Sequence, residues 1–252
     1  MTESLSFAMD GPLARITLNR PDKMNAVNGA MLEALLKALD EVRSCGAAML
    51  VIDGAGRNFC AGADLGEVRG IEDQSERRAF QAMFQQVVRN LWESDCWTVA
   101  RVRGVAFAGG FELVLACDEA ICSADARFGD AHMRYALIPG AGGTVLLPTV
   151  MGFRRAKRLI ACAETLSAQE AQESGLVTEL LDPEEMEAWI TRRANYFSTR
   201  TQGLAQIKTL MRAAIEPVAG EQPWLRELDA ICRHLSSAQA RDGLAKFAER
   251  KH

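Results

Sequence analysis

Short apolar runs alternate along the chain with segments whose apolar residues recur every three or four positions. Residues 5–9 and 13–18 flank Asp10-Gly11 and predict a β-hairpin. Residues 47–52 and 98–102 predict buried strands, and residues 76–92 between them predict a helix. Asn28 can cap an earlier helix, whose apolar positions include Met31, Leu32, Leu35, Leu36 and Leu39. This alternation predicts an α/β fold with largely parallel, buried strand pairing.

The second half of the chain becomes helical after one more strand. Residues 104–110 predict a turn into an apolar helix at 111–116, and residues 118–123 predict a strand. From Ser167 onward the pattern is helical, with a capping box from Ser167 to Glu170 and a helix start at Asp182-Pro183. Residues 220–223 are the expected late linker. An apolar stripe at helical spacing follows, formed by Trp224, Leu228, Ile231 and Leu235, and predicts core packing or a subunit interface.

Composition narrows the class of protein. The 252 residues are 48% hydrophobic and carry a net charge of -4. A protein that binds nucleic acid would usually carry a basic surplus, so no nucleic-acid partner is expected. No apolar run reaches the roughly 18 residues of a membrane span, and residues 1–10 lack the basic, apolar pattern of a signal peptide. We therefore expect neither membrane association nor secretion.

The cysteines and histidines indicate an intracellular protein without a metal. Seven cysteines include no Cys-x-x-Cys pair, which is typical of free thiols packed as small apolar groups in a reducing compartment. The three histidines show no metal-ligand spacing with them. We expect no metal ion and a cytoplasmic location.

Three stretches carry features that local structure does not require. Residues 58–65 follow a buried strand with small side chains, which lets a ligand approach backbone N–H groups, although a tight turn would use the same residues. In residues 104–118, Gly109 and Gly110 open a helix whose start favours an anion. Glu112 lies in the apolar run there and is either an acid/base with a raised pKa or a glutamate bound to backbone N–H groups. His132 precedes a glycine-rich helix start, where a lone histidine is more often structural than catalytic.

These residues together resemble the crotonase (enoyl-CoA hydratase/isomerase) superfamily over nearly the whole chain. Six segments match its motifs in order, which is far more specific than any one motif. They are residues 19–26 (Asn-Arg-Pro-Asp-Lys-Met-Asn-Ala), 59–65 (Phe-Cys-Ala-Gly-Ala-Asp-Leu), 109–113 (Gly-Gly-Phe-Glu-Leu, with Cys117-Asp118 after it), 128–129 with 138–143 (Phe-Gly and Ile-Pro-Gly-Ala-Gly-Gly), 166–171 (Leu-Ser-Ala-Gln-Glu-Ala) and 175–177 (Gly-Leu-Val).

The resemblance implies a fold, a site and an assembly. The fold would be a crotonase-like spiral of ββα units over residues 1–195, with a helical C-terminal trimerisation region over residues 196–252. The Ala63 and Gly109 N–H groups would form an oxyanion hole for a thioester enolate. Coenzyme A would belong to the substrate, with no separate cofactor, and the assembly would be a homotrimer or a dimer of trimers. The residues implied in coenzyme A binding are Lys23, Asn25, Ala26, Ala61, Asp64, Leu65, Phe247 and Lys251.

The second acid/base position departs from the superfamily pattern. Hydratases of the superfamily hold one water with two glutamates; Glu112 matches the first, and His132 occupies the place of the second. A histidine can still exchange protons near neutral pH. Asp130 is a second possible carboxylate nearby. Isomerases that use one glutamate usually keep it at the position of His132, which lowers but does not remove the isomerase alternative. Ala108 replaces the first residue of a common Gly-Gly-Gly run.

The leading hypothesis is a hydro-lyase that adds water to 2-enoyl-CoA. Glu112 would activate the water, and His132 would hold that water or handle the second proton. One alternative uses the same enolate for isomerisation, decarboxylation or thioester hydrolysis, which fits a histidine at position 132 at least as well for unusual substrates. The other alternative is a non-catalytic acyl-CoA-binding protein. A panel of substrates would separate the three.

Overall fold

A computed structural model describes residues 4–249 as one alternating series of strands and helices. The strands are β1 (Leu5–Asp10), β2 (Leu13–Leu18), β3 (Met49–Gly54), β4 (Trp97–Val102), β5 (Val105–Phe107), β6 (Glu119–Cys122), β7 (Arg127–Gly129), β8 (Leu166–Ser167) and β9 (Glu179–Leu180). The helices are α1 (Gly29–Cys45), α2 (Leu65–Gly70), α3 (Gln74–Trp92), α4 (Gly109–Ala116), α5 (Gly143–Met151), α6 (Phe153–Ala161), α7 (Ala168–Glu173), α8 (Pro183–Phe197), α9 (Thr201–Ala219), α10 (Glu221–Leu235) and α11 (Ala238–Glu249). Short 3-10 turns occur at Pro21–Lys23 and His132–Tyr135.

The larger sheet has the strand order β1-β2-β3-β4-β6-β9. β1 and β2 pair antiparallel through to Asp10 and Leu13, and Gly11 supplies the positive φ of 55° in the turn, so the predicted hairpin is confirmed. The other neighbouring strands are parallel, as predicted. Because helices cover both faces of a parallel sheet, its central strands are buried on both sides.

The central strands divide the interior into two layers. On β3, Leu50 and Ile52 face the main core with α1, α3 and α4, whereas Met49 and Val51 face a smaller core against α8. Asn28 caps α1 by accepting a hydrogen bond from Met31 N–H, as its sequence position predicted. The predicted helix at 76–92 is likewise confirmed as α3, beginning two residues earlier.

A second, smaller sheet has the order β5-β7-β8 and lies where the sequence pattern predicted a turn. Residues 105–107 form β5, which pairs parallel with β7, so the expectation of a turn over the whole of 104–110 was wrong. Strand signals in sequence need four to eight residues, and a three-residue strand in a glycine-rich stretch carries none. The pairing partner, not the local sequence, makes this segment extended.

The C-terminal part is helical, and two of its predicted starts are confirmed. Ser167 and Asp182 each form a capping box, at α7 and α8. The expected linker at 220–223 was wrong, because α10 begins at Glu221 and only Gly220 separates it from α9. Pro223 lies in the first turn of α10, where a missing N–H costs nothing. The short strand β9 also interrupts the region predicted as helical, since it pairs with β6.

Two further features concern the whole chain. Among the helices of residues 4–249, none combines the length and apolar character that crossing a membrane requires. All seven cysteines are free, and five of them (Cys60, Cys96, Cys117, Cys122 and Cys232) are buried. The division of the chain at residue 195 stays a prediction.

Candidate active site

The two segments that carry the expected oxyanion donors lie side by side. Residues near Cys60 extend the smaller sheet beside β5, with Phe107 N–H donating to Cys60 O at 2.9 Å. Gly62, at a φ of 98°, packs so closely on the start of α4 that a Cβ there would lie 3.0 Å from Gly109 N. Ala63 and Gly109 are therefore brought together, although they are distant in sequence.

The N–H groups of Ala63 and Gly109 are available to a ligand. Within residues 4–249, neither group donates to a protein acceptor. Gly109 opens α4, whose unpaired N–H groups and positive dipole end favour negative charge. Two fixed donors of this kind can stabilise an oxyanion, and losing one typically costs about 2.7–4 kcal/mol of transition-state stabilisation. Their role in this chain stays a prediction.

Backbone strain is stored next to this pair of donors. Ala108 precedes α4 with φ 49° and ψ -122°, a region that favours glycine. A conformation of this kind costs on the order of 1–3 kcal/mol and persists only when the surroundings impose it. Ala108 is held by its N–H, which donates to Gly129 O at 3.1 Å, so the smaller sheet sets the direction in which α4 begins.

Glu112 is a buried carboxylate at the first turn of α4, with 2% of its surface exposed. Its Oε1 accepts hydrogen bonds from Ala141 N–H and Gly143 N–H, each at 2.9 Å. Burial raises the pKa of Glu112 to about 8; the charge of His132 opposes this rise, while the charge of Glu227 adds to it. The sequence left open whether Glu112 has a raised pKa or binds backbone N–H groups. Both hold in the structure, because Glu112 accepts hydrogen bonds at the start of α5 and its pKa is raised toward neutrality.

His132 begins the 3-10 turn and is paired with Asp130. The His132 Nδ1 and Asp130 Oδ1 atoms are 3.0 Å apart. Burial lowers the pKa of His132, but the charge and hydrogen bond of Asp130 outweigh it and raise the pKa to about 9. Ala131 and Ala136 flank the turn at φ 59° and 52°, so the histidine is held in place by a backbone that alanine adopts only under constraint.

Asp130 lies behind the histidine, away from the ligand side. It is fully buried, lines neither cavity of the site, and its Oδ2 has no hydrogen-bond partner among the described residues. The sequence allowed Asp130 as an alternative carboxylate to His132. In the structure it faces His132 and not the space where a substrate would lie.

Glu227 is a third buried carboxylate at the site and was missed in the sequence. From α10 it accepts hydrogen bonds from Thr144 N–H at 2.7 Å and from Gly142 N–H. Burial raises its pKa, and hydrogen bonds from Thr144 oppose the rise. A signal was present: Glu227 lies three residues after Trp224 and four before Ile231, on the predicted apolar stripe. An acid on a buried helix face needs hydrogen-bond partners.

An open cavity of about 320 Å³, the outer cavity, reaches the site from the surface. Most of the side chains expected to bind coenzyme A line it, namely Lys23, Ala26, Ala61, Asp64, Leu65 and Phe247, together with Ala63, Ala108 and His132. Arg20 pairs with Asp64 at 3.0 Å, so the carboxylate of Asp64 is partly neutralised where it caps α2. Burial raises the pKa of Asp64, but Arg20 and backbone N–H groups lower it below its usual value.

One of the expected coenzyme A residues is placed elsewhere. Asn25 is fully buried and lines neither cavity. Its amide donates to Ala55 O and Asn58 O, and its Oδ1 accepts from Arg20 N–H, so this side chain holds the loop beneath the outer cavity. Lys251 lies outside the described residues.

A small cavity of about 40 Å³, the inner cavity, continues from the outer one. Both cavities are lined by Ala63, Leu65, His132 and Leu137, so they meet at the predicted oxyanion donors. Glu112 and Gly109 also line the inner cavity. The geometry therefore gathers the backbone of Ala63 and Gly109, one carboxyl group and one imidazole around a single small cavity.

The site offers no arrangement for a metal. Across residues 4–249, no group of three or more histidine, cysteine or acidic side chains is placed to hold a metal ion. Cys60, the thiol nearest the donors, has its pKa raised to about 12 by burial and would stay protonated. The expected absence of a cofactor stays a prediction.

Comparison with known proteins places this geometry in context. Residues 9–252 match the family described as enoyl-CoA hydratase/isomerase. The crotonyl-CoA hydratase of Syntrophomonas wolfei is 30% identical, over 99% of this chain and 96% of that protein. The 1,2-epoxyphenylacetyl-CoA isomerase of Escherichia coli is also 30% identical, over 100% and 97%. A solved enoyl-CoA hydratase/isomerase from Xanthobacter autotrophicus Py2 superposes with a TM-score of 0.90 at 27% identity, over 99% and 98% of the two chains.

Proposed function

The chain belongs to the enoyl-CoA hydratase/isomerase family, and from that premise we propose that it adds water to the Cα=Cβ bond of a 2-enoyl-CoA thioester, or removes water from the 3-hydroxyacyl-CoA. One observation carries the proposal. Glu112 and His132 both line the inner cavity, together with Ala63 and Gly109. This common lining supports the proposal, because hydration of a thioester requires an acid/base group and an oxyanion hole around one small space.

The proposed reaction begins with the thioester oxygen at the Ala63 and Gly109 N–H groups. Glu112 takes a proton from the attacking water as the water oxygen bonds to Cβ. The electron pair of the Cα=Cβ bond then forms a double bond between Cα and the carbonyl carbon, and the carbonyl π pair moves onto the thioester oxygen, which gives the enolate. The enolate then collapses and Cα takes up a proton. His132 holds the water or handles this second proton. The pKa values of about 8 for Glu112 and about 9 for His132 suit proton exchange near neutral pH.

The decisive test is an assay of crotonyl-CoA hydration, in which the loss of absorbance of the conjugated thioester measures the rate. Glu112→Gln should lower turnover by roughly 10²–10⁴-fold, because glutamine cannot take a proton, while butyryl-CoA still binds. Glu119→Gln is the matched control. Glu119 is also a buried glutamate, but it accepts hydrogen bonds from Trp97 and Arg193 and lines neither cavity. Turnover close to wild type in Glu112→Gln would remove Glu112 from the mechanism.

A second reaction of the same enolate is favoured by the Asp130–His132 pair. A cationic imidazole in place of a second carboxylate suits isomerisation, decarboxylation or thioester hydrolysis, and one relative is named as an isomerase. A panel of acyl-CoA substrates separates these reactions by mass and absorbance. Binding of acyl-CoA without turnover in the whole panel would support a non-catalytic acyl-CoA-binding protein.

We further propose that coenzyme A occupies the outer cavity and that the chain assembles as a homotrimer or a dimer of trimers. Lys23 supplies a positive charge on the lining of the outer cavity, which suits a phosphate. The assembly is supported by apolar side chains that α9 leaves exposed on one face. These are Ile207, Leu210, Met211 and Val218.

A further inference from the structure

The inner cavity ends a short distance beyond the oxyanion donors. We propose that the acyl group accepted at this site is uncharged and about four carbons long, and that Phe84 and Ile231 set this limit. The inference rests on the proposed function, since it assigns the inner cavity to the acyl group. It concerns binding, however, and can be tested without turnover.

Two apolar side chains close the inner cavity against glycines of the site. The ring of Phe84, from α3, contacts Gly109 where a Cβ would otherwise stand. Ile231, from α10, packs on Gly140 so closely that a Cβ there would lie 2.7 Å from its Cγ2. Phe84 and Ile231 are each 3% exposed, so neither can swing into solvent. Both are held in packed cores, and the wall they form is rigid.

The volume of the inner cavity limits chain length. It measures about 40 Å³, whereas a single water needs roughly 10–15 Å³. About three water-sized groups therefore fit. With carbons 1 and 2 of the acyl chain at the oxyanion donors, where the two cavities meet, these must include the attacking water and carbons 3 and 4. A longer chain would have to displace Phe84 or Ile231.

The chemistry of the lining excludes a second charge on the acyl group. Glu112 and His132 are the titratable side chains among the described residues that line the inner cavity, and no lysine or arginine accompanies them. The remaining lining is mainly apolar. The charge of His132 is already paired with Asp130 at 3.0 Å, so an acyl carboxylate would be buried beside Glu112 without a cation of its own, which is costly. Lys23 and Arg134 line the outer cavity instead.

The first experiment measures the affinity of the wild-type protein for unreactive thioesters by calorimetry. Butyryl-CoA should bind at least about tenfold more tightly than octanoyl-CoA or glutaryl-CoA, because one misplaced methylene alone can discriminate roughly 10-fold or more. Octanoyl-CoA or glutaryl-CoA binding as tightly as butyryl-CoA would overturn the proposal. If the protein prefers butyryl-CoA but does not hydrate crotonyl-CoA, the proposed limit on the acyl group is supported and only the hydratase function is contradicted.

The second experiment assigns the wall. Phe84→Leu replaces the ring that blocks a longer chain with a smaller side chain. The ratio of the dissociation constants of octanoyl-CoA and butyryl-CoA should therefore fall by roughly fivefold. Phe80→Leu is the matched control: Phe80 is buried on the same helix, one turn earlier, and lines neither cavity. Ile231→Val is a smaller change that tests the same wall if Phe84→Leu does not fold. An unchanged preference in both wall variants would overturn the assignment of these residues.

Discussion

The Asp130–His132 pair gives the site an electrostatic character of its own. A buried histidine normally loses its proton, because burial disfavours the charged form. Here the Asp130 carboxylate at 3.0 Å reverses that tendency, and the negative charges of Glu112 and Glu227 add to the reversal. Asp130 acts through His132 and not on a substrate, so we regard it as a positioning residue. Its anion keeps Nδ1 occupied and leaves Nε2 as the ring nitrogen available to exchange a proton.

We expect Asp130→Asn to shift the pH dependence of catalysis. Without the anion, burial dominates and the pKa of His132 falls below about 9, so the alkaline limb of the kcat/KM profile for crotonyl-CoA should move to lower pH. Asp53→Asn is the control, since Asp53 is buried but pairs with Arg15 and Arg101 outside both cavities. An alkaline limb that stays in place in Asp130→Asn would show that His132 does not titrate in catalysis.

The same pair affects stability in a defined pH window. Because the folded-state pKa of His132 is raised from 6.5 to about 9, its protonated form stabilises the folded protein. That contribution is complete below pH 6.5 and is lost as the pH rises through about 9. Denaturant titration at a series of pH values measures the free energy of unfolding. Between pH 6.5 and about 9 this free energy should fall less in Asp130→Asn than in the wild type.

The start of α5 is held by carboxylates from two other helices. Glu112 of α4 accepts from Ala141 and Gly143, and Glu227 of α10 accepts from Gly142 and Thr144. Four consecutive backbone N–H groups are thus paired at a helix end that favours negative charge. This explains the glycine at 143, because a Cβ there would lie 3.1 Å from both Glu112 Oε1 and Asp130 Oδ2. The packing of three helices around one loop places the acid/base.

Glu227→Ala should loosen this junction. It would leave the buried Gly142 N–H without an acceptor, at about 1–3 kcal/mol, whereas Thr144 lies at an exposed position where water can replace the carboxylate, so the free energy of unfolding should fall by roughly 1–3 kcal/mol. Urea titration measures the loss, and hydrogen exchange should quicken at the amides of Gly142 and Thr144. Arg226→Ala, at an exposed neighbouring position of α10, is the control and should change neither. Unchanged exchange in Glu227→Ala would mean that α10 does not hold α5.

At the level of the whole chain, the fold agrees with the crotonase-like α/β spiral and helical C-terminal region expected from the sequence. The TM-score of 0.90 to a solved family member confirms that architecture. What α9 contacts in an assembly is a separate question. Its exposed apolar side chains recur at helical spacing, and Leu210 is 72% exposed. A contiguous apolar face of this kind is typical of a subunit interface.

We expect Leu210→Asp to dissociate the proposed trimer or hexamer. A charge placed in an apolar interface loses hydration without gaining a partner, so association should weaken sharply. Light scattering after size-exclusion chromatography gives the mass, and Gln172→Asp, which adds the same charge on the exposed face of α7, is the control. A wild-type protein with the mass of one chain would contradict the assembly. An unchanged trimer in Leu210→Asp would place the interface on another surface.

The sequence by itself determined the elements that local turn and capping signals specify. It also determined the family, because the family motifs occur in order along the chain. The hairpin at Gly11, the cap at Asn28 and the capping box at Ser167 follow from turn and capping chemistry within a few residues. The sequence also indicated Glu112 and His132, because a charged or titratable residue in an apolar or glycine-rich setting is locally visible.

Only the tertiary structure decided how distant residues combine. Residues 112 and 141, or 142 and 227, meet because helices pack across a shared core, and no local periodicity encodes that distance. The same holds for strand β5, which exists through its partner β7, and for Phe84 and Ile231, which close a cavity built from separate helices. Hydrogen bonds and burial between such segments depend on three-dimensional proximity, and they set the pKa values and the volume of the site.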